Sequence, residues 1–456
     1  MIENLQTICA ISTPIGRGAI SVIRINGKDS IPIVLKIFTG GERIKEAPTG
    51  SIILGWIVDP KTGERIDEVL VSVFREPHSY TGEDLIEIST HGGIVIPKKV
   101  LNLLVRHGAR IAEPGEFTRR AFLNDKMSLL EAEALLNVVN AKTEKGARLA
   151  EANLNGRLQN EIEKLKESLV DAKTLLEVTL DFEDSENLEI DREGIKYKIN
   201  KSKEKLESLL QTYKGGRILI EGISIAIVGK PNVGKSSLFN TILQEDKAIV
   251  TAEPGTTRDV LEGTVDIDGY PVRFMDMAGI RSPLNEPERL GVERAKRMID
   301  IADAILFLID SSSTLSKADE RIYETISKKL YILVLNKCDL PKRVDTIPFN
   351  GEVVFVSAKE HAGINELNNA IIKMIASILP DGFSEGVICT TLRQAEGIEK
   401  AIKYIDNGLK LLNEGGELEL VAFDFGEATD MLKELTGEIT EEEVLDRIFS
   451  EFCIGK

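Results

Sequence analysis

The chain has 456 residues, 29% of them charged, a net charge of −17 and four cysteines. That length accommodates about three domains. The scattered Cys9, Cys338, Cys389 and Cys453 exclude a disulfide framework or a paired zinc spacing and suit a reducing compartment. No basic stretch followed by an apolar run opens the chain, and no apolar run approaches about 18 residues, so a soluble, cytoplasmic protein without a membrane span is expected. The acidity is uneven. Residues 1–120 hold 15 Lys/Arg against 14 Asp/Glu, whereas residues 411–456 hold 3 against 13. A nucleic-acid partner would therefore meet a local basic patch, not the whole surface.

Residues 1–120 read as mixed α/β, with short strands over Ala19–Ile25, Glu68–Phe74 and Leu85–Ser89. From Leu129 the composition shifts to Ala, Leu, Glu and Lys. Leu154, Leu158, Ile162, Leu165, Leu169, Ala172 and Leu176 recur every three to four residues, which predicts one long helix with a single apolar face. A second helical stretch is expected to end at Leu210, with Gly215-Gly216 as the break before the next domain.

Ser224–Val228 is an apolar strand that feeds Gly229-Lys230-Pro231-Asn232-Val233-Gly234-Lys235-Ser236, and Ser237 continues into a helical pattern. A strand, a glycine loop and a helix in that order form a phosphate-binding loop: backbone N–H groups turn inward and the helix dipole favours negative charge. Lys235 would reach the β- and γ-phosphates and Ser236 would ligate Mg²⁺. Asp268-Gly269 predicts a type I′ hairpin turn. The strand after it ends in Asp276-Met277-Ala278-Gly279, where a carboxylate can hold a Mg²⁺ water and Gly279 can approach the γ-phosphate. Asn336-Lys337-Cys338-Asp339 follows the buried run Tyr331–Leu335. Its Asp339 can accept from N1–H and the 2-amino group of guanine, a donor pair that adenine lacks. Ser357-Ala358-Lys359, after the strand Val353–Val356, adds a backbone N–H for the guanine oxygen. These motifs, in this order, specify GTP. Where Ras-type proteins carry a water-orienting Gln, this chain has Ile280, so the hydrolytic group must come from elsewhere. The charged loop from Arg281 to Gly291 offers Arg281, Glu286, Glu288 and Arg289.

After Leu379-Pro380, helices are expected over Arg393–Leu412 and Glu419–Leu435. Thr440 and Glu443 predict a capping box opening a last helix towards Phe449. The fold class is thus multidomain α/β plus α. The division reads as 1–120, a discontinuous helical domain of 121–215 with 380–456, and an inserted Ras-like P-loop GTPase domain at 216–379.

The whole length resembles the MnmE (also called TrmE) family of tRNA-modification GTPases. The resemblance rests on the motif set above, together with Gly255-Thr256-Thr257-Arg258-Asp259, Thr81-Gly82-Glu83-Asp84, His91-Gly92-Gly93, Pro114-Gly115-Glu116-Phe117, the run Arg120–Lys126, and Cys453-Ile454-Gly455-Lys456. It implies a homodimer that joins the FAD-dependent partner MnmG in a heterotetramer and modifies the wobble uridine of certain tRNAs at carbon 5. A tetrahydrofolate derivative (5-formyl or 5,10-methylene) would supply the one-carbon unit. By the same resemblance Arg24, Glu87, Lys126 and Lys456 contact the folate, from an N-terminal domain similar to folate-binding aminomethyltransferase folds. A polyanionic folate tail suits Arg24 and Lys126, and a carboxylate such as Glu87 can take pterin donors.

The family also uses K⁺ in place of an arginine finger. Carried onto this chain, Asn232, Thr251, Glu253 and Thr256 hold the ion, within a loop Thr251-Ala252-Glu253-Pro254-Gly255-Thr256-Thr257 that also meets the nucleotide. Ser236 and Thr257 carry over as Mg²⁺ ligands, and Glu288 would orient the attacking water. Met277 departs from the Thr of many members at a position that uses its backbone. For Cys453, a nucleophilic role and a structural or folate-adjacent one both stand open. A ribosome-assembly switch is the competing function, and it would be expected to carry a basic RNA-binding appendage in place of the N-terminal motifs. A folate-dependent methyltransferase acting alone is a third reading, which the absence of a flavin- or NAD-type fingerprint disfavours.

Overall fold

Alternating apolar residues in the first 120 positions build one sheet, and near-continuous apolar runs after residue 222 build another. The computed structural model describes residues 6–181, 191–245, 248–249, 261–276, 297–344, 347–379 and 386–456. These divide into two compact units, residues 1–136 with 433–456, and residues 137–432.

In the first unit β1 (Ile8–Ile11), β2 (Ile20–Asn26), β3 (Ser51–Val58), β4 (Arg65–Phe74), β5 (Leu85–His91) and β6 (Arg110–Ile111) form a sheet in the order β3-β4-β5-β2-β1-β6. The three expected strands are present: the first is shifted by one residue to Ile20–Asn26, and the other two are longer by three and two residues. Ile23, Ile25, Val69, Val71, Val73, Ile86 and Ile88 point to one face and are buried with Val100, Leu103 and Leu104 of the helix Val95–Arg106. The alternation of strand side chains puts Arg24 and Glu87 on the opposite face. The C-terminal helix Glu442–Ser450 packs Leu445, Ile448 and Phe449 on Leu129 and Ala132.

In the second unit β7 (Ile223–Gly229), β8 (Ala248–Ile249), β9 (Leu261–Ile267), β10 (Tyr270–Asp276), β11 (Ala304–Asp310), β12 (Leu330–Asn336) and β13 (Glu352–Phe355) form the sheet β13-β12-β11-β7-β10-β9-β8. Strands β13, β12, β11, β7 and β10 are mutually parallel. The central strands β7 and β11 are buried on both faces, as a parallel sheet covered by helices requires. Asp268 and Gly269 both adopt positive φ (50° and 81°), the type I′ geometry expected of the β9–β10 turn.

Three helical expectations need correction. The stripe is buried from Leu158 to Leu176, but Leu154 ends one helix and Arg157 begins the next. The break lies at Asn155-Gly156, where Gly156 takes φ 81° and ends the first helix in the left-handed region. The helix expected to stop at Leu210 runs from Arg192 to Ile220, straight through Gly215-Gly216. A Cβ on Gly216 would lie 2.1 Å from the Cys389 carbonyl oxygen, so this glycine serves close packing and not termination. Finally, Thr440 forms no capping box. The last helix is capped by Glu441 without a side-chain bond, and the Thr440 hydroxyl donates to the Gly437 carbonyl at 3.0 Å. Capping boxes form elsewhere, at Ser316 with Asp319 opening Lys317–Ile326 and at Thr391 with Gln394 opening Leu392–Glu414. That helix packs along Arg192–Ile220, with Lys203 and Asp406 paired at 2.5 Å.

Candidate functional site

Loops leaving the carboxyl ends of parallel strands share one crevice, where ligands bind in open α/β sheets. The phosphate loop follows β7, Asp276 ends β10, Asn336-Lys337-Cys338-Asp339 follows β12, and Ser357-Ala358-Lys359 follows β13. Asn232 (φ 64°) and Gly234 (φ 99°) turn the loop through the left-handed region, and the helix Lys235–Glu245 starts behind it. A Cβ on Gly234 would sit 2.2 Å from Asn336 Nδ2, so no larger residue fits. Lys235 donates from Nζ to the carbonyls of Gly229 (2.9 Å) and Lys230 (2.7 Å), which brings its ammonium back over the loop. Ser236 and Ser237 occupy the first helical turn, Val233 is buried beneath the loop, and Ser237 is exposed.

Asn336 ties three motifs together. Its Nδ2 donates to the Val233 carbonyl (2.8 Å) and its Oδ1 accepts from the Ala358 N–H (3.1 Å). Both partners and Asn336 itself are buried, so these bonds form away from competing water. Thr241 adds a hydrogen bond to the Ala358 carbonyl at 2.8 Å. Lys337 takes a positive φ (64°), and the Cys338 N–H donates to the Val356 carbonyl at 3.1 Å. Asp339 is exposed and accepts from the Ser357 hydroxyl at 2.6 Å. That hydroxyl, with the Lys359 and Lys337 ammoniums behind it, holds the Asp339 carboxyl below its ordinary value. Lys359 is itself exposed and paired with Glu360 at 3.2 Å.

One participant was missed by the motif reading. Asp310 ends β11 and accepts from Lys337 Nζ at 2.6 Å. Burial alone would raise this carboxyl, but the bonds from Lys337 and Ser312 outweigh it and keep Asp310 ionised. Its signal was available: a buried apolar strand closing on an acid, the same pattern that marks Asp276. Thr251, Ala252, Glu253, Pro254, Gly255, Thr256, Thr257, Met277, Ala278, Gly279 and Glu288 lie outside the described residues, as does the Asp276 side chain.

The first unit holds a second polar cluster. Arg24 and Glu87 are cross-strand neighbours on β2 and β5, paired at 2.8 Å. The Arg24 guanidinium also donates to the Gly455 carbonyl (3.2 Å) and lies 5.6 Å from the Tyr80 ring centre. The tail is tied down by a bridge between Pro114 and Ile454 and by a bond from the Phe117 N–H to Lys456. Burial, then repulsion from Arg24, lowers the affinity of the Lys456 amine for its proton. Arg24, Glu87 and Lys456 are therefore brought together from three distant parts of the chain. Lys126 is exposed at the Thr81–Asp84 turn, where a Cβ on Gly82 would lie 3.3 Å from its Cε, and it forms no hydrogen bond or ion pair with the other three.

Beneath this cluster, several of the N-terminal motifs converge on Arg120. It pairs with Glu83 (3.0 Å) and Glu116 (3.1 Å), while Asn124 donates to the Thr81 carbonyl and Asn26 to the Thr81 hydroxyl, both at 2.7 Å. Arg110 adds a second partner for Glu116 at 2.6 Å. A buried guanidinium needs carboxylate partners on several sides, which accounts for acids at both 83 and 116.

Comparison with known proteins matches both units. Residues 7–126 match the family described as the GTP-binding protein TrmE N-terminus, and residues 129–453 match the MnmE helical domain. Among curated relatives, the tRNA modification GTPase MnmE of Lactobacillus gasseri is 39% identical over 460 residues, spanning 100% of this chain and 99% of the relative. That of Moorella thermoacetica is 40% identical over 461 residues, and that of Acetivibrio thermocellus 39% over 456, each spanning 99% of both chains. The phosphate loop, the guanine-reading loops and the N-terminal motifs thus occur together along one continuous match, and the chain belongs to the MnmE (TrmE) family of tRNA modification GTPases.

Proposed function

We propose that this protein hydrolyses GTP to drive modification of the wobble uridine of certain tRNAs. The observation that carries the reading is the Asn336 bridge. One buried side chain holds the phosphate loop at Val233 and the Ser357–Lys359 loop at Ala358, next to a carboxylate, Asp339, that is exposed and ionised. An array of this kind pairs the N1–H and 2-amino donors of guanine, a pair that adenine cannot offer. The nucleotide-binding residues are Gly229, Asn232–Ser237, Thr251–Thr257, Asp276–Gly279, Asn336–Asp339 and Ser357–Lys359.

Mg²⁺ would be held by Ser236 and Thr257, and K⁺ by Asn232, Thr251, Glu253 and Thr256. Of these, Ser236 opens the helix and Asn232 is exposed at the crown of the loop, which suits oxygen donors beside phosphates. Held there, K⁺ would supply positive charge beside the phosphates, and Glu288 would orient the attacking water. The domain order is 1–120 for folate binding and dimerisation, 121–215 with 380–456 for the helical part, and 216–379 for an inserted nucleotide domain. Arg24, Glu87, Lys126 and Lys456 take a tetrahydrofolate derivative. A homodimer acting with the FAD-bearing MnmG completes the assembly in the cytoplasm.

The test is hydrolysis measured in K⁺ and in Na⁺ buffers over a range of protein concentrations. Turnover should require K⁺ and rise with concentration, since Ile280 leaves each nucleotide domain without its own complete catalytic set. Equal, concentration-independent rates in both salts would refute that part. Mass spectrometry of wobble nucleosides from cells lacking the protein tests the tRNA role, and an unaltered nucleoside profile would remove it.

A further inference from the structure

The second residue of the phosphate loop, Lys230, points away from the nucleotide crevice into a built anchor. Its Nζ lies 2.7 Å from Asp319 Oδ2 and donates to the Ser316 hydroxyl at 3.1 Å. Asp319 is fully buried, at 0% exposure, on the first turn of the helix Lys317–Ile326. Its Oδ2 also accepts from the Ser316 N–H and hydroxyl, both at 2.9 Å, so the carboxylate closes the capping box of that helix. Asp319 Oδ1, by contrast, has no hydrogen-bond partner among the described residues. An ordinary helix cap does not need a lysine from another element, and a helix start does not ordinarily bury a whole carboxylate.

The anchor bears on the loop through one residue with two ends. The side chain of Lys230 is held by Asp319, while its backbone carbonyl accepts from Lys235 Nζ at 2.7 Å. Fixing one end of Lys230 fixes the carbonyl on which Lys235 rests and the backbone entering Pro231 and Asn232. The same segment is tied at its other end, because Asp310, six residues before Ser316, holds Lys337 of the guanine loop. Residues 310–319 thus run as a strap from the base-reading loop to the phosphate loop.

We infer that Lys230 and Asp319 are positioning residues that hold the phosphate loop in its binding shape before a nucleotide arrives. The inference rests on the reading of this loop as a GTP site. A preformed loop avoids the ordering cost at binding, so removing the anchor should weaken nucleotide binding while the fold persists.

The experiment is a double-mutant cycle on the full chain, read by the affinity of a fluorescent GDP analogue and by thermal melting without nucleotide. The variants are Lys230→Met, Asp319→Asn, both together, and Lys230→Arg. Each single variant should weaken affinity about tenfold. The double variant should weaken it no further than the worse single one, because both changes break the same tether. Lys230→Arg should restore most of the loss. The double variant removes the unpaired buried charge, so its melting should stay near that of the unaltered protein and keeps the affinity readout interpretable. Variants that melt lower yet bind as tightly per folded molecule would overturn the inference and leave only a structural pair. Strictly additive losses would overturn it as well. An unaltered protein that binds no guanine nucleotide would overturn the site reading and this inference with it.

Discussion

The nucleotide crevice and the Arg24 cluster are built by opposite strategies. In the crevice each functional group sits at the end of a strand or within seven residues beyond it, so the sheet does the positioning and the loops need only short motifs. Much of the proposed chemistry there is backbone, from the turn at Asn232–Gly234 and from Ala358. In the Arg24 cluster the groups are side chains from β2, β5 and the tail, separated by 63 residues between Arg24 and Glu87 and by 431 between Arg24 and Gly455. No short motif can encode such a site. Its specification lies in the long-range packing that fixes the tail on the sheet.

That contrast makes substitutions in the crevice local in effect and changes in the cluster distributed. The largest effect expected is from Glu288→Ala, which should lower kcat roughly 10²- to 10⁴-fold with little change in GTP affinity. Single-turnover hydrolysis beside nucleotide titration reads both; normal hydrolysis would pass the role to Glu286 or Arg281. Next comes Asp339→Asn, expected to weaken GTP binding by roughly tenfold or more, since a charge-assisted acceptor for two guanine donors is lost. Its kcat at saturation should change far less, and titration against GTP and ATP measures the lost preference.

On the other side of the comparison, deleting Cys453–Lys456 should reduce binding of a folate derivative and abolish wobble modification. GTP turnover should stay within a few-fold. The deletion removes the Gly455 carbonyl from Arg24 and the Lys456 ammonium from beside it, without touching a residue of the crevice. Undiminished folate binding by the truncated protein would sink the assignment of Lys456.

The smallest effect is the share of the pH dependence that Glu116 contributes in the first unit. Burial would raise the Glu116 carboxyl, but the bond from Arg110, the Glu113 N–H and the nearby Arg120 charge prevail and lower it. A carboxyl lowered on folding contributes stability that is complete above its unfolded value, about 4.3. The contribution drains as pH falls from there through the folded value. The urea midpoint should therefore drop between about pH 5 and pH 3. Glu116→Gln should flatten that drop, and an unchanged slope would remove Glu116 from the account.

The legible and illegible parts divide along the same line. Strand ends, glycine turns and the order of the guanine motifs were readable because each depends on neighbours in sequence. Arg24, Glu87, Lys126 and Lys456 were reachable only through family resemblance, and three of the four meet in space. Asp310 was missed although its strand ended in the same pattern as β10. The helix boundaries failed for a related reason. Gly216 looks like a breaker in isolation, and only the approach of Cys389, 173 positions on, explains why the helix continues past it. Gly156 made the opposite error possible, since a continuous apolar stripe concealed a real stop.

The uninterrupted helix has a mechanical consequence. Its 29 residues end at Ile220, and only Glu221 and Gly222 separate it from β7, whose last residue opens the phosphate loop. Arg217 clamps this end to Asp303 at 3.0 Å, and Asp303 in turn grips the Ser224 N–H at 2.8 Å. A rod of this length spans about 44 Å. Pivoted at its clamped end, a tilt of about 5° would swing the far end by about 4 Å. Because Leu392–Glu414 packs along the same helix, with Lys203 held to Asp406, a rotation of β7 would have to carry both helices together to be felt at Arg192.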